Sequence, residues 1–284
     1  MKKTIAYQGV PASYSYATAQ AIFGGDNTFI GCSRFAEIFA AVSSGAADCG
    51  IIPIENSLAS SIFDNYDLLY REDVYVVDEY YLPIQHFLLA KQIDGVSSKE
   101  RLAQIKKVFS HTQALEQCSQ FFDEHPELEE IVYSDTAGAA RHVAESSDTS
   151  IAAIASREAG ALYGLEIIGE NIQNQQNNIT RFVVIAKAPV VDTEVDKGSI
   201  ILELAHNKPG ALLEILSIFA DQNINLSKLQ SRPIGGSSFE YMFYIDFEFD
   251  GDIEKIEKVM DKVKKHTAYL KKLGYYKAGK IPQK

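Results

Sequence analysis

Short β-branched runs alternate with longer stretches of helical spacing from Thr4 to Ala186, the pattern of an α/β sheet with crossover helices. Strands are expected at Thr4–Tyr7, Phe29–Gly31, Cys49–Ile52, Val74–Tyr81, Phe87–Ala90, Lys107–Ser110, Glu130–Tyr133, Ile151–Ala155 and Phe182–Ala186. Between them, Tyr16–Phe23, Phe35–Ser43, Ile62–Leu69, Leu102–Ile105, Gln113–Asp123, Ala137–Glu145 and Arg157–Leu162 read as helices. Two strand-like runs meet at Tyr81-Leu82-Pro83 with no helix between, which breaks the alternation. We read this break, near residue 80, as a crossing from one α/β lobe to a second, with the return near 170–180. Region 1–186 is then two lobes around a central cleft.

Both periodicities vanish over 187–198, which holds Pro189 and alternating charges and reads as a linker. The pattern restarts in a different order: strand Ser199–Ala205, helix Pro209–Asp221, strands Ile224–Arg232 and Phe239–Phe249, helix Ile253–Lys264 and strand Tyr269–Leu273. Gly235-Gly236-Ser237 is the expected hairpin turn between the middle strands. This βαββαβ order, over 199–276, is the ferredoxin-like motif with both helices on one sheet face. The tail 277–284 is polar and expected to be loose.

With 284 residues, 46% of them hydrophobic, the chain has enough apolar surface for more than one core. Its net charge of −11 argues against nucleic acid and anionic membrane surfaces as partners, because both need clustered Lys and Arg. Cys32, Cys49 and Cys118 are scattered and form no metal or disulfide pattern. No apolar run approaches a membrane span, and the apolar stretch after Lys3 meets Gln8-Gly9 too soon for a signal core. The expectation is a cytoplasmic protein.

One feature recurs in the first region. Strand ends pass through Ser/Thr-rich turns directly into helices: Ser13-Tyr14-Ser15 before Tyr16, Ser60-Ser61 before Ile62, Ser110-His111-Thr112 before Gln113, Ser134-Asp135-Thr136 before Ala137, and Ser156 before Arg157. For any single junction, ordinary N-capping accounts for the hydroxyl. Together at one end of a sheet, such turns line a crevice with free N–H groups and positive dipole ends. A small carboxylate held this way needs little lysine, so the acidic balance does not exclude an anionic ligand.

Two runs carry further chemistry. Pro53-Ile54-Glu55-Asn56-Ser57 ends a buried strand in three polar groups, a weak signal by itself because Glu-Asn-Ser after a strand is more often a solvated turn. Asn177-Asn178-Ile179-Thr180-Arg181-Phe182 sets an amide, a hydroxyl and a guanidinium at the mouth of a strand, after the amide-rich loop 171–176. Strand alternation sends Asn178 and Thr180 to one side and Arg181 to the other.

These two runs, with Ser110-His111-Thr112-Gln113-Ala114-Leu115 and Asp135-Thr136-Ala137-Gly138-Ala139-Ala140, occur in the order found in prephenate dehydratases, which the chain resembles. Gly210-Ala211-Leu212 and Ser231-Arg232-Pro233 resemble the ACT regulatory domain of the same enzymes. The fold so implied is α/β: a two-lobed, periplasmic-binding-protein-like catalytic region with a central cleft, then a ferredoxin-like ACT domain. The implied reaction is the decarboxylating dehydration of prephenate to phenylpyruvate in phenylalanine biosynthesis. That aromatisation requires no cofactor, metal or covalent nucleophile.

The resemblance puts Thr180 beside the leaving hydroxyl, as an oriented donor worth about 3–4 kcal/mol, or a hundred- to a thousandfold in rate. Arg181 is either a bidentate clamp on a substrate carboxylate or a brace for the loop. Glu55 is either an acid with a raised pKa or a structural acceptor. Ser13, Tyr14, Ser15, Asn56, Ser57, His111, Gln113, Thr136, Asn178 and Phe182 are cast as substrate contacts, with His111 a neutral donor. Asn207, Gly210, Ala211, Leu212, Ser231, Arg232 and Pro233 are cast as an L-phenylalanine site, in a homodimer or homotetramer built through ACT domains. Gln230 stands where relatives usually carry glutamate. Two rivals stay open: the same enzyme acting on arogenate, and a non-catalytic carboxylate sensor.

Overall fold

The computed structural model describes residues 2–189, 194–206, 208–234 and 240–282. The first lobe opens with β1 (Thr4–Gln8), α1 (Tyr14–Phe23), β2 (Thr28–Cys32), α2 (Phe35–Ser44), β3 (Cys49–Asn56), β4 (Ser60–Ser61), α3 (Phe63–Arg71) and β5 (Tyr75–Pro83). The second lobe contains β6 (Phe87–Lys91), α4 (Ser98–Leu102), β7 (Lys107–Ser110), α5 (Thr112–Gln117), α6 (Ser119–Glu124), β8 (Glu129–Val132), α7 (Thr136–Glu145), β9 (Ile151–Ala155), α8 (Arg157–Tyr163) and β10 (Leu165–Gly169). β11 (Ile179–Ala186) returns to the first lobe, whose sheet runs β2-β1-β3-β11-β5 with β4 paired to β3. The second sheet runs β10-β6-β9-β7-β8. The chain therefore crosses between Pro83 and Phe87 and back between Gly169 and Ile179.

The third unit is β12 (Lys197–Leu204), α9 (Ala211–Ala220), β13 (Asn225–Pro233), β14 (Tyr241–Glu248), α10 (Ile253–Lys264) and β15 (Thr267–Tyr276), in sheet order β13-β14-β12-β15. The hairpin turn Gly235-Gly236-Ser237, Phe239 and Asn207 lie outside the described residues. Ile200, Leu202, Ile245 and Phe247 face the helices, with Ile215, Phe219, Ile256 and Val259. Ile201, Met242, Tyr244, Leu273 and Tyr276 face the other way and join one core with Ile52, Tyr66, Val76, Val183 and Ile185 of the first lobe. The ferredoxin-like sheet is thus packed on both faces. At the closest approach a Cβ on Gly274, whose φ is +148°, would lie 2.2 Å from the Val76 carbonyl oxygen, so only glycine lets β15 cross β5 here.

Several expected elements shift for local reasons. The single helix expected over Gln113–Asp123 is broken at Cys118 (φ −112°, ψ 19°) into α5 and α6. Ser97 starts α4 earlier than expected, through a capping box with Glu100. β10 went unread because its five residues alternate only weakly; it pairs antiparallel with β6. Both sheets are mixed: in the first, β11 is antiparallel to β3 and β5, and in the second, β6 is antiparallel to β10 and β9 while β7 is parallel to β8 and β9. The tail is tied down as far as residue 279: the Ala278 N–H donates to Asp196 (2.6 Å) and the Gly279 N–H to Glu79 (2.9 Å).

Pro53 sits in the middle of buried β3, where a missing N–H breaks the ladder. The β3–β11 register slips at this point: Arg181 pairs with Glu55 but Phe182 with Pro53, so Ile54 is an extra residue. This bulge sets the facing of the strand ends beyond it. Asn56 lies opposite Thr180, and Glu55 opposite Arg181.

Candidate active site

Between the lobes lies a cavity of about 290 Å³. Its first-lobe wall comes from the β1–α1 turn (Gln8, Gly9, Ser13, Tyr14, Ser15), Phe35, Pro53, Asn56, Ile62, Thr180 and Phe182. Ile84 and His86 of the outward crossing close one end. The second lobe adds His111, Gln113, Ala114 and Gln117 from the start of α5, and Ser134, Asp135 and Thr136 from the start of α7. No Lys or Arg is among these residues. What the cavity offers an anion is hydroxyls, amides, imidazole and the amino ends of helices. Among the described residues no group of three or more His, Cys, Asp or Glu side chains is placed to hold a metal ion.

The hydroxyl-rich turns divide into caps and other uses. Ser13 caps α1 by accepting from the Tyr16 N–H (3.2 Å) while donating to the Gln8 carbonyl (3.1 Å). Ser156 caps α8 and donates to the Ala12 carbonyl, away from the cavity. At the two second-lobe helices that open onto the cavity the caps are not hydroxyls: for α5 the His111 Nδ1 accepts from the Gln113 N–H, and for α7 Asp135 accepts from the Gly138 N–H at 2.6 Å. Ser110 donates to the buried Ile154 carbonyl, and Ser60-Ser61 forms β4 instead of a cap. With Nδ1 occupied, His111 carries its hydrogen on Nε2.

A chain of side-chain amides runs behind the cavity. Asn56 Oδ1 accepts from the Leu58 and Ala59 N–H groups, both at 2.9 Å, which fixes the amide's orientation. Its Nδ2 therefore donates to Thr180 Oγ1 (2.9 Å) and to Asn178 Oδ1 (2.7 Å). Asn178 Nδ2 donates in turn to Gln117 Oε1 at 2.8 Å. That oxygen also lies 2.8 Å from His86 Nε2, and His86 Nδ1 lies 3.1 Å from the Tyr14 hydroxyl. Burial pushes the Tyr14 phenol well above its ordinary pKa, and burial pushes the His86 imidazole down, opposed by the bond to Gln117.

Of the residues singled out from sequence, Ser13, Tyr14, Ser15, Asn56, His111, Gln113, Thr136, Thr180 and Phe182 line the cavity. Asn178 stands one bond behind it. Ser57 clasps the end of β3 to the return crossing, donating to the Asn177 carbonyl (2.6 Å) and accepting from the Ile179 N–H (3.0 Å). His86 and Gln117 carried no motif. Gln117 was nonetheless findable, because it lies one helical turn after Gln113 and shares its face.

Arg181 and Glu55 lie outside the cavity, on the far side of their strands. The Arg181 side chain, 3% exposed, binds Glu79 (2.7 Å), Asp246 (2.5 Å), Glu55 (3.1 Å) and the Tyr276 hydroxyl (3.2 Å). These partners lie on β3, β5, β14 and β15, so the guanidinium faces away from the cavity and ties β11 to the ACT sheet, where the sequence reading offers a carboxylate clamp or a brace for the loop. Burial opposes the Arg181 charge, yet Asp246 and its neighbours outweigh that and hold the pKa above its usual value. Glu55 also bonds Lys228, so its carboxylate is an acceptor between two cations and not an acid facing substrate. Lys197 Nζ bonds both Glu79 oxygens (2.8 and 2.9 Å), which balances the buried charges.

Among the expected effector residues, Gly210 has φ +86° and opens α9. Ser231 and Pro233 are exposed on β13. Arg232 points the other way, bonding Asp67 of α3 (2.6 Å) and stacking over Phe63, so it docks the two units together. Gln230 lies on that docking side as well, accepting from the Ser61 hydroxyl at 3.0 Å.

The sequence profile of prephenate dehydratase matches residues 5–190, and that of the ACT domain matches residues 199–265. The chain is 37% identical over 291 residues to arogenate dehydratase/prephenate dehydratase 1, chloroplastic, of Arabidopsis thaliana, covering 97% of this chain and 72% of that protein. The structure of a prephenate dehydratase from Arthrobacter aurescens in complex with L-Phe is similar, with a TM-score of 0.85, 28% identity and coverage of 97% and 90% of the two chains. Another, described as "a novel type of quorum quenching acylases", has a TM-score of 0.84, 30% identity and coverage of 97% and 98%. A cleft walled by hydroxyls and amides, backed by an ACT domain and matched along nearly the whole chain, places this protein in the prephenate dehydratase family, hydro-lyases that dehydrate and decarboxylate prephenate.

Proposed function

We propose that the cavity holds prephenate with its ring hydroxyl against Thr180. The observation that carries this is the state of that hydroxyl. Its oxygen already accepts from Asn56 Nδ2, so its hydrogen is free to point at the leaving oxygen. In the reaction the C–CO2 bond electrons enter the ring as the C–O bond breaks. The departing hydroxide becomes water with a proton that reaches it from solvent. A fixed donor strengthens its bond as charge builds on the leaving oxygen, which is differential stabilisation of the transition state. Ser15, His111, Gln113 and Thr136 supply neutral donors for the two carboxylates. Such donors hold the substrate without over-stabilising the carboxylate that must depart.

Thr180→Ala tests this directly. We expect a loss of about a hundred- to a thousandfold in kcat with the fold intact; a rate within about tenfold of the parent would remove Thr180 from its role. Incubation with prephenate and with arogenate, followed by detection of phenylpyruvate or phenylalanine, decides the substrate. Formation of CO2 and an aromatic ring also separates this chemistry from amide hydrolysis on the same scaffold. Binding without product from either substrate would favour a sensor.

The same reading makes L-phenylalanine the effector, held near Gly210-Ala211-Leu212 and the exposed side of β13. Edge strand β13, whose own Leu229 is 44% exposed, suits pairing between ACT domains in a homodimer or homotetramer. The coupling expected between effector and substrate is about 1–3 kcal/mol. Unchanged turnover and unchanged sedimentation at saturating L-phenylalanine would exclude it. Three free, buried cysteines fit a reducing cytoplasm.

A further inference from the structure

His86 belongs to neither lobe's regular structure. It sits between Pro83 of β5 and Phe87 of β6, where the chain crosses outward, and is 2% exposed. Its backbone is clamped to the return crossing: its N–H donates to Gln173 Oε1 (2.9 Å), and its carbonyl accepts from the Ile172 N–H (3.0 Å). The ring is thereby held at the joint of the lobes, with Tyr14 of the first lobe on one nitrogen and Gln117 of the second on the other.

The protonation of that ring follows from the far end of the amide chain. Backbone N–H groups of Leu58 and Ala59 can only donate, so the atom of Asn56 they meet is the oxygen. The direction then propagates, since Asn56 must donate to Asn178 and Asn178 must donate to Gln117. Gln117 Oε1 is an acceptor, and His86 Nε2 facing it at 2.8 Å must carry a hydrogen. In the neutral ring Nδ1 is then the acceptor, sharing the Tyr14 hydroxyl hydrogen that also serves the Gln85 carbonyl at 2.7 Å. With two donors on its oxygen the Gln117 amide is fixed in orientation, its Nε2 bonds no described residue, and the side chain is part of the cavity lining.

We infer that His86 is a positioning residue for the dehydratase reaction: through an Nε2–H donor it locks the Gln117 amide with its N–H groups towards the substrate. The low pKa imposed by burial agrees with a neutral ring. The role rests on the reading of the cavity as the prephenate site. It acts across the lobes, because Gln117 is presented correctly only when the crossing that carries His86 meets α5.

Two measurements test it, one of them independent of activity. In ¹⁵N-histidine spectra, with the His86 signal identified by its loss in His86→Gln, the expected form is the neutral Nε2–H tautomer. An Nδ1–H tautomer would overturn the inference whatever the enzyme's substrate proves to be. In kinetics, His86→Leu should raise KM for prephenate with kcat nearly unchanged, lowering kcat/KM by about ten- to a hundredfold, the worth of one bond to a charged group. His86→Gln, whose amide places an N–H near the Nε2 position, should recover most of the loss. On a Gln117→Leu background, His86→Leu should cost no more than about threefold further, because the role runs through Gln117. Additive losses, or equal damage from the Leu and Gln variants, would mean that His86 only fills space.

Discussion

Replacing Asp246 by Asn probes the buried charge cluster that joins β11 to the ACT sheet. Asp246 is fully buried; its Oδ2 accepts from Arg181 Nη1 and its Oδ1 from the Ser199 hydroxyl, each at 2.5 Å. Removing one member of such a pair costs about 3–5 kcal/mol, because the partner charge stays buried. Glu79, 2.7 Å from Arg181 Nε, keeps the guanidinium partly compensated, so we expect the lower end, about 3 kcal/mol. Urea unfolding at pH 7 measures it through the midpoint at constant slope. Arg181→Met/Asp246→Leu should recover part of the loss, since the pair is removed and not broken. The pH dependence carries the same signature. Burial opposes ionisation of Asp246, but Arg181, Lys197 and the Ser199 bond outweigh it and hold the carboxyl below its usual range. The unfolded chain binds that proton more readily, so stability rises with pH. The contribution is complete above about pH 5 and is lost as pH falls through the lower folded value. Asp246→Asn should flatten this acid limb; a loss below about 1 kcal/mol with the limb unchanged would refute the reasoning.

Other substitutions test single packing or capping terms. Gly274→Ala drives a methyl into the Val76 carbonyl at a φ that L-residues avoid, and should lower stability by about 1–3 kcal/mol in the same unfolding assay. Asp135→Ala removes the cap of α7 and should cost about 1 kcal/mol, with Asp135→Asn nearly neutral, as thermal melts will show. Lys228→Met takes one of two cations from Glu55 while keeping the stem; the loss should stay under about 1.5 kcal/mol at low salt, because Glu55 is partly exposed.

Strand alternation was enough to separate Thr180 from Arg181 in the sequence, but not to say what Arg181 meets. A guanidinium beside a strand reads the same whether a substrate or a docked domain lies opposite. The answer required Asp246 and Tyr276, at least 65 residues away along the chain. The hydroxyl-rich turns were legible as helix starts, yet their capping atoms at His111 and Asp135 depend on local torsions that composition does not reveal. His86 was hidden for another reason. It lies in an irregular crossing, where neither period applies, and its partners come from three separate segments. The second face of the ACT sheet was hidden too, since a ferredoxin-like pattern is compatible with that face being free or covered.

The register of β3 against β11 explains why the regulatory domain and the cavity share so little intervening protein. Thr180 pairs with Asn56, and both serve the cavity; Arg181 pairs with Glu55, and both serve the ACT sheet. One peptide unit separates the two functions on each strand. Beyond the bulge in β13, Lys228, Gln230 and Arg232 alternate onto the docking side, against Glu55, Ser61 and Asp67, while Leu229, Ser231 and Pro233 face outward. A displacement of β13 therefore reaches Glu55 through a single ion pair, and Glu55 is covalently next to the amide that orients Thr180. Val183 and Ile185 of β11 also share one apolar core with Tyr244 and Tyr276 of the ACT sheet, so the two units are joined by close packing as well as by ion pairs.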